Sequence, residues 1–216
     1  MYKIIHRQLT ALSAIAFVLA SNANVLAAPV NSWNLSRDLT SIPGYPTAPT
    51  YSGNTVGAWT FLYGSVTLPS SLSTFTSVTS PGYGYWSTSG IPSLGVYIPT
   101  TTFPSGVANA TKGLIHVHPG PTQPVIVKWA GNTTGTVRVL ARFSDIDPGG
   151  GDGVKWVVYK NTTVLGTGII ANGNHGAIFD TAISVLPTDV LYFVVEPNAN
   201  YFYDSTALDV LITATP

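Results

Sequence analysis

The clearest order in this chain is an alternation of apolar and polar residues. Val137, Val139, Ala141 and Phe143 alternate with Arg138, Leu140, Arg142 and Ser144. A period of two places successive side chains on opposite faces of a strand. After Pro148 and the glycines at 149–151, Val154, Trp156 and Val158 alternate with Lys155, Val157 and Tyr159. Proline and glycine interrupt strands and supply turns. Residues 137–159 therefore read as an antiparallel pair with an acidic, glycine-rich tip. The same pattern predicts strands over 114–118, 124–130, 136–146, 154–160, 163–170, 177–185, 190–196 and 207–213. Turn residues separate several of them: Gly131, Asn132 and Gly135, then Asn161, then Pro187, Thr188 and Asp189. Short strands at such regular spacing indicate a sandwich or barrel.

The front half is less regular. Residues 31–40 alternate Trp33 and Leu35 with polar residues and predict a first strand. Residues 57–66 carry Trp59, Phe61 and Tyr63 on one face and predict a second. Residues 41–54, rich in Pro, Gly and Tyr, read as an ordered loop. Residues 69–106 are dominated by Ser and Thr and contain Pro81-Gly82-Tyr83-Gly84-Tyr85-Trp86, with short strands expected near 72–78 and 96–98. A long irregular segment in a domain is commonly functional. No helical period is evident beyond position 27.

Composition then narrows the class. Lys3, His6 and Arg7 precede an apolar run over 9–19, and Val25 and Ala27 fit a small-residue cleavage rule; Ser21 and Ala23 offer a second option. This pattern predicts a secretory signal peptide over 1–27, since the run is too short to span a bilayer. Residues 28–216 are then expected to form one secreted domain, extracellular or periplasmic, with no transmembrane anchor. The chain has nine basic and nine acidic residues. Loss of Lys3 and Arg7 leaves a slightly acidic remainder, with no attraction for nucleic acid or an anionic membrane surface. Cysteine is absent, so the core and not disulfides must hold the fold.

Several segments together carry a resemblance. These are Ile115-His116-Val117-His118-Pro119-Gly120, Val125-Ile126-Val127-Lys128-Trp129, the Phe-Ser-Asp-Ile-Asp run at 143–147, 189–198 and 203–213, with Trp33 to Asp38 and Ala58-Trp59 in front. They resemble a domain of exported bacterial proteins of the PEP-CTERM type. That domain is similar to the jelly-roll β-sandwich of non-catalytic carbohydrate-binding modules. The resemblance implies an all-β, antiparallel jelly roll and a carbohydrate or cell-surface ligand. The chain ends at Ala214-Thr215-Pro216 without the Pro-Glu-Pro sorting tail, so sorting by that route is not expected.

Candidate chemistry follows from side-chain types. Asp145, Asp147 and Asp152 lie on a glycine-rich loop, and calcium takes several hard oxygen ligands. The spacing is not that of an EF-hand, and the alternative is a solvated tip whose aspartates satisfy turn amides. Asp204 and Asp209, near Asn198 and Asn200, form a second oxygen-rich group. By resemblance Asp209, on the last strand, is the candidate ligand to a structural calcium; otherwise it pairs with arginine or backbone. His116 and His118, at i and i+2, share a strand face and suit either a transition metal or a hydrogen-bonded surface; no third ligand is evident unless distant His175 folds near them.

Tyr83, Tyr85 and Trp86, and separately Tyr192, Tyr201 and Tyr203, are amphipathic rings of the kind that stack on sugars. Equally, such rings can staple loops to the sandwich. No nucleophile elbow, zinc-protease helix or phosphate loop is present. Glu196 is the single glutamate, which excludes a Glu/Glu glycosidase pair and leaves an Asp/Asp or Asp/Glu pair, with Asp145, Asp147 and Glu196 as the acids of a hydrolase. The expected function is a secreted, non-catalytic binding module for a carbohydrate or a cell-surface or matrix component. The alternatives are a self-associating extracellular matrix protein and, last, a glycan hydrolase.

Overall fold

Alternation along the chain becomes two antiparallel sheets. The computed structural model describes residues 31–45, 51, 53–65, 72–75, 77–79, 85–88, 91–96, 114–147, 149–174 and 176–215. The expected signal peptide, Tyr83 and His175 lie outside them. The front elements are β1 (Ser32–Asn34), α1 (Leu35–Thr40), β2 (Thr55–Val56), β3 (Trp59–Gly64), β4 (Leu72–Thr74), β5 (Ser77–Thr79), β6 (Tyr85–Ser87) and β7 (Ser93–Val96). Then come β8 (Ile115–His118), β9 (Val125–Trp129), β10 (Gly135–Asp145) and β11 (Val154–Lys160). The chain closes with β12 (Thr163–Ile170), β13 (Ala177–Val185), β14 (Leu191–Pro197) and β15 (Thr206–Ala214).

One sheet runs β13-β10-β15-β8-β7-β6-β5, with β1 also on β15; the other runs β12-β11-β14-β9-β3-β2, with β4 also on β3. From β8 onward the chain crosses between sheets at every connection except the β11–β12 hairpin. The order β8-β15-β10-β13 therefore faces β9-β14-β11-β12. This is the double Greek key of a jelly roll, and the all-β jelly-roll sandwich expected from the sequence is the fold.

Two local expectations are corrected. β10 and β11 do not pair with each other. β10 lies between β13 and β15, with Phe143 opposite both Ala177 and Leu208, while β11 lies between β12 and β14. Alternation fixes which face a residue takes but not which strand it meets, and the loop after Asp145 carries the chain from one sheet to the other. The predicted first strand is also shorter. After Asn34 the chain turns into α1, whose Leu35 and Leu39 are buried one turn apart. The Asn34 side chain accepts a hydrogen bond from the Arg37 N–H at 2.7 Å, satisfying an amide that the helix start leaves unpaired.

The core lies between the sheets. Val137, Val139, Ala141 and Phe143 of β10 meet Val154, Trp156 and Val158 of β11, and the Phe143 and Trp156 rings stack with centroids 5.2 Å apart. Gly166 and Gly168 make room for this layer. A Cβ on either would lie 2.8 Å from the Phe179 or Trp156 ring. A second, smaller cluster (Leu62, Ile126, Val157, Tyr192 and Val194) uses the opposite face of the β3-β9-β14-β11 sheet.

Candidate functional site

Two regions gather polar chemistry. The first is the end of the sandwich where β10 stops, the 146–153 loop crosses, and the segment from Asn198 enters β15. Asp145 is buried at the end of β10. Its carboxylate accepts hydrogen bonds from the Asp147 N–H at 3.0 Å and from the Gly173 N–H. Asp147 accepts from the Ser205 N–H at 2.8 Å. Asp152 accepts from the Ala199 N–H at 2.6 Å and from the Asn200 side-chain amide at 2.6 Å. Each of these aspartates therefore ties a turn in place, as short acidic side chains do.

Asp204 differs from them. It is 1% exposed, and neither carboxylate oxygen has a hydrogen-bond partner. Burial and the charges of Asp152, Asp145 and Asp147 push its pKa up to about 7. An unpaired buried carboxylate costs several kcal/mol, so this residue is held against its own preference. The chain around it is tightly fixed. Tyr203 adopts φ +62°, and its ring lies where a Cβ on Gly149 would sit, 2.5 Å away. Asn172 clamps the loop from the other side by donating to the carbonyls of Gly149 and Gly150.

The structure thus brings together Asp145, Asp147, Asp152 and Asp204, which the sequence separates into two groups. It does not bring Asp209 to them. Asp209 projects from the outer face of β15, exposed, 3.9 Å from Arg142. Among the described residues no group of three or more His, Asp or Glu side chains is placed so that it could hold a metal ion. His116 is buried rather than displayed; desolvation, with the neighbouring His118, pulls its pKa down to about 4. It is therefore a neutral ring at physiological pH. His118 Nδ1 lies 2.8 Å from the Pro119 carbonyl.

The aromatic platform expected over 83–86 is corrected at Trp86. That ring is fully buried, edge-on to Tyr51 at 5.0 Å and tilted on Phe61 at 4.6 Å. Its N–H donates to the Gly53 carbonyl at 2.9 Å, so Trp86 is core. Tyr85 contributes backbone to β6, opposite Thr79 and Gly95. Tyr201 stacks on Phe202 with centroids 4.5 Å apart, and Tyr203 covers Gly149. The Tyr203 ring nevertheless remains 53% exposed. Glu196, the proposed hydrolase acid, is buried and bound by Lys155 Nζ at 3.1 Å.

The second region carried little sequence signal. On the outer face of the β13-β10-β15 sheet, Arg142 lies opposite Asp209, Leu140 opposite Leu211 and Arg138 opposite Thr213. Helix α1 rises beside β15. Between them runs a groove of about 740 Å³ bordered by Asn34, Arg37, Thr40, Arg142, Asp209 and Leu211. A smaller hollow of about 370 Å³, with Arg138, Leu140 and Thr213, continues past Leu211. The rows from Asp209 to Thr213 span about 13 Å at the rise of a strand. The outward position of Arg142 in the alternation was the only available clue.

No protein-family model and no curated protein sequence matches the chain. Solved structures of similar arrangement exist. One is the carbohydrate-binding module CBM51 from Clostridium perfringens GH95 in complex with methyl-galactose, at 10% identity and TM-score 0.36, over 65% of this chain and 94% of that one. Another is a carbohydrate-binding module CBM36 in complex with calcium and xylotriose, at 11% identity and TM-score 0.30, over 53% and 90%. A third is the Podospora anserina GH26-CBM35 β-(1,4)-mannanase, at 12% identity and TM-score 0.35, over 54% of this chain and only 25% of that one. Among these neighbours are binding modules and enzyme-associated domains alike.

Proposed function

We propose that this chain is an exported, non-catalytic module that binds a neutral glycan along the outer face of the β13-β10-β15 sheet. The groove beside α1 carries this reading. It is open and lined by both donors and acceptors of hydrogen bonds: Arg142 donates, Asp209 accepts, and Asn34 and Thr40 carry both kinds of group. Leu140 and Leu211 supply apolar area between them. Sugar hydroxyls need such paired polar partners, and their C–H faces need apolar contact. The Arg142–Asp209 pair is loose at 3.9 Å, which leaves both groups available to a ligand. Export rests on the pattern over 1–27, and kinship with exported PEP-CTERM-type proteins rests on the strand motifs quoted above.

The test is retention on a panel of immobilised neutral polysaccharides, with release of soluble sugar followed in parallel. Retention that is lost in the Arg142→Ala/Asp209→Ala double variant, with unfolding temperature preserved, supports the reading. Retention that survives both changes removes the groove from consideration. Soluble product would favour the hydrolase alternative instead.

A second reading has its own observation. β12 and β13 are the free edges of the two sheets on one side of the sandwich, and they expose Val164, Ile169 and Ile178. β12 holds no charged residue or proline to discourage pairing. Self-association into an extracellular matrix would use this side. Sedimentation showing a monomer at every concentration would remove that reading.

A further inference from the structure

One asparagine at the loop end ties several segments together and is followed by glycine. Asn172 is the only asparagine of the chain that precedes a glycine. Asn172 and Gly173 are the central residues of the turn between β12 and β13, which the Asn174 N–H closes by donating to the Ala171 carbonyl at 3.0 Å. Gly173 sits at φ +77°, a conformation that glycine takes without strain. Further bonds pin this turn to the end of the sandwich. The Asn172 side-chain amide donates to the Gly149 carbonyl at 2.6 Å and to the Gly150 carbonyl. The Gly173 N–H donates to the buried Asp145 carboxylate. The Asp145 N–H in turn donates to the Asn174 carbonyl at 3.1 Å. The loop after β10 and the β12–β13 turn are therefore held together largely through Asn172 and Gly173.

We propose that Asn172 is a one-way modification site: when the loop end opens, its side chain converts to aspartate or isoaspartate, and the new carboxylate keeps the end from closing again. An asparagine before glycine is open to attack by its own backbone, because the next residue has no Cβ to obstruct the approach. The Gly173 nitrogen gives its proton to a base in solvent and bonds to the Asn172 Cγ. The Cγ–Nδ2 bond breaks, and ammonia leaves with a proton from water. Water then opens the cyclic imide at either carbonyl, giving aspartate or isoaspartate. In the closed structure both reacting groups are engaged, the amide by two carbonyls and the Gly173 N–H by Asp145. The bond from Asn174 to Ala171 also fixes the backbone that must rotate. The reaction therefore belongs to the open form. Once it has occurred, a carboxylate faces the carbonyls of Gly149 and Gly150, acceptor against acceptor, where a donor stood before. The inference is independent of the glycan reading, because it concerns the loop end and not the groove.

The experiment incubates the full chain at mildly alkaline pH, folded in buffer and unfolded in urea, and follows the amide-to-acid mass gain by peptide mapping. Conversion is expected first at Asn172. It should be at least about tenfold slower in buffer than in urea, because the folded rate is the open-chain rate scaled by the population of the open form. Asp152→Ala, which frees the loop from Ala199 and Asn200, should speed conversion in buffer. Asp180→Ala, on the outer face, should not. Thermal unfolding reads the consequence: Asn172→Asp should unfold about 2–4 °C below Asn172→Ala, which loses the same donor without adding a charge. The rate comparison uses the parent chain alone, so it decides even where a variant fails to fold. Equal rates in buffer and urea, first conversion at another asparagine, or the same acceleration by Asp152→Ala and Asp180→Ala overturns the proposal. So does an Asn172→Asp chain as stable as Asn172→Ala.

Discussion

The outer face of the β13-β10-β15 sheet and the loop end beyond β10 hold carboxylates in opposite ways. On the outer face Asp180 receives two hydrogen bonds from Arg138, at 2.8 and 2.7 Å, and Asp209 stands beside Arg142. Charge there is balanced within the protein, exposed to water and inexpensive. At the loop end four carboxylates share one region and, among the described residues, none of them is paired with a lysine or arginine; two of them, Asp145 and Asp204, are buried. Paired surface charge leaves a face free to meet a neutral ligand. A buried carboxylate without a cation instead holds its proton to higher pH, as Asp204 does. The two regions therefore settle their charge differently: one by pairing with arginine, the other by backbone N–H groups and a displaced proton equilibrium.

The largest effect should come from disturbing the loop end through its backbone. Gly153 adopts φ +77°, and a Cβ there would fall 1.9 Å from the Ile170 carbonyl oxygen. No side chain can rotate away to relieve that clash. Gly153→Ala is expected to cost on the order of 3 kcal/mol, from left-handed backbone strain plus overpacking. An unfolding temperature within a degree of the parent would show that the loop is not fixed as described.

A paired acid should answer acidification in a defined direction. Asp189 closes the β13–β14 turn, bound by Lys160 at 2.9 Å, by the Asn161 amide at 2.8 Å and by the Leu186 N–H at 2.9 Å. Lys160 first, then Asn161 and Leu186, hold its pKa down at about 2, against an ordinary 3.8. A depressed folded pKa adds stability that is present above the unfolded value and lost as pH falls through the folded one. Asp189→Asn should therefore be less stable than the parent from pH 7 to 5, by less than Gly153→Ala. The gap should narrow below about pH 4 and close near pH 2. Calorimetry over that range checks it, and a gap of constant size down to pH 2 would contradict the assignment.

Much of the fold was legible because its signals are local. β12 and β13 match the predicted 163–170 and 177–185, since Asn161 at φ +54° and the Pro187 turn mark their ends. Partnership was not legible. Nothing in the alternation of β10 says that its neighbours are β13 and β15, and so the expected hairpin fails. Helix α1 left only a capping Asn34 and the Leu35–Leu39 spacing, too short to register as a period. Trp86, set among glycines and tyrosines, looks like a loop ring until Phe61 and Tyr51 are seen against it. The acidic end was legible as two compositions, 145–152 and 204, but their meeting depends on topology. The groove depends on how α1 lies over β15, which no motif announces.

The smallest effect on stability, and the finest test of the contrast, lies in the two arginines of the outer face. Arg138 grips Asp180 through two short bonds, whereas Arg142 approaches Asp209 only to 3.9 Å. Both side chains are more than half exposed, so neither Arg138→Ala nor Arg142→Ala should move the unfolding temperature by more than a degree or two, as befits surface pairs. Their effects on a ligand should separate. Arg142 borders the wider groove and keeps donors unspent, so its loss should weaken glycan retention about tenfold, the worth of one good hydrogen bond to a charged group. Arg138 has committed two of its donors to Asp180, and its loss should change retention little. Equal weakening by both variants would mean that the face acts through its overall charge; a larger effect at Arg138 would move the binding site to the hollow beyond Leu211.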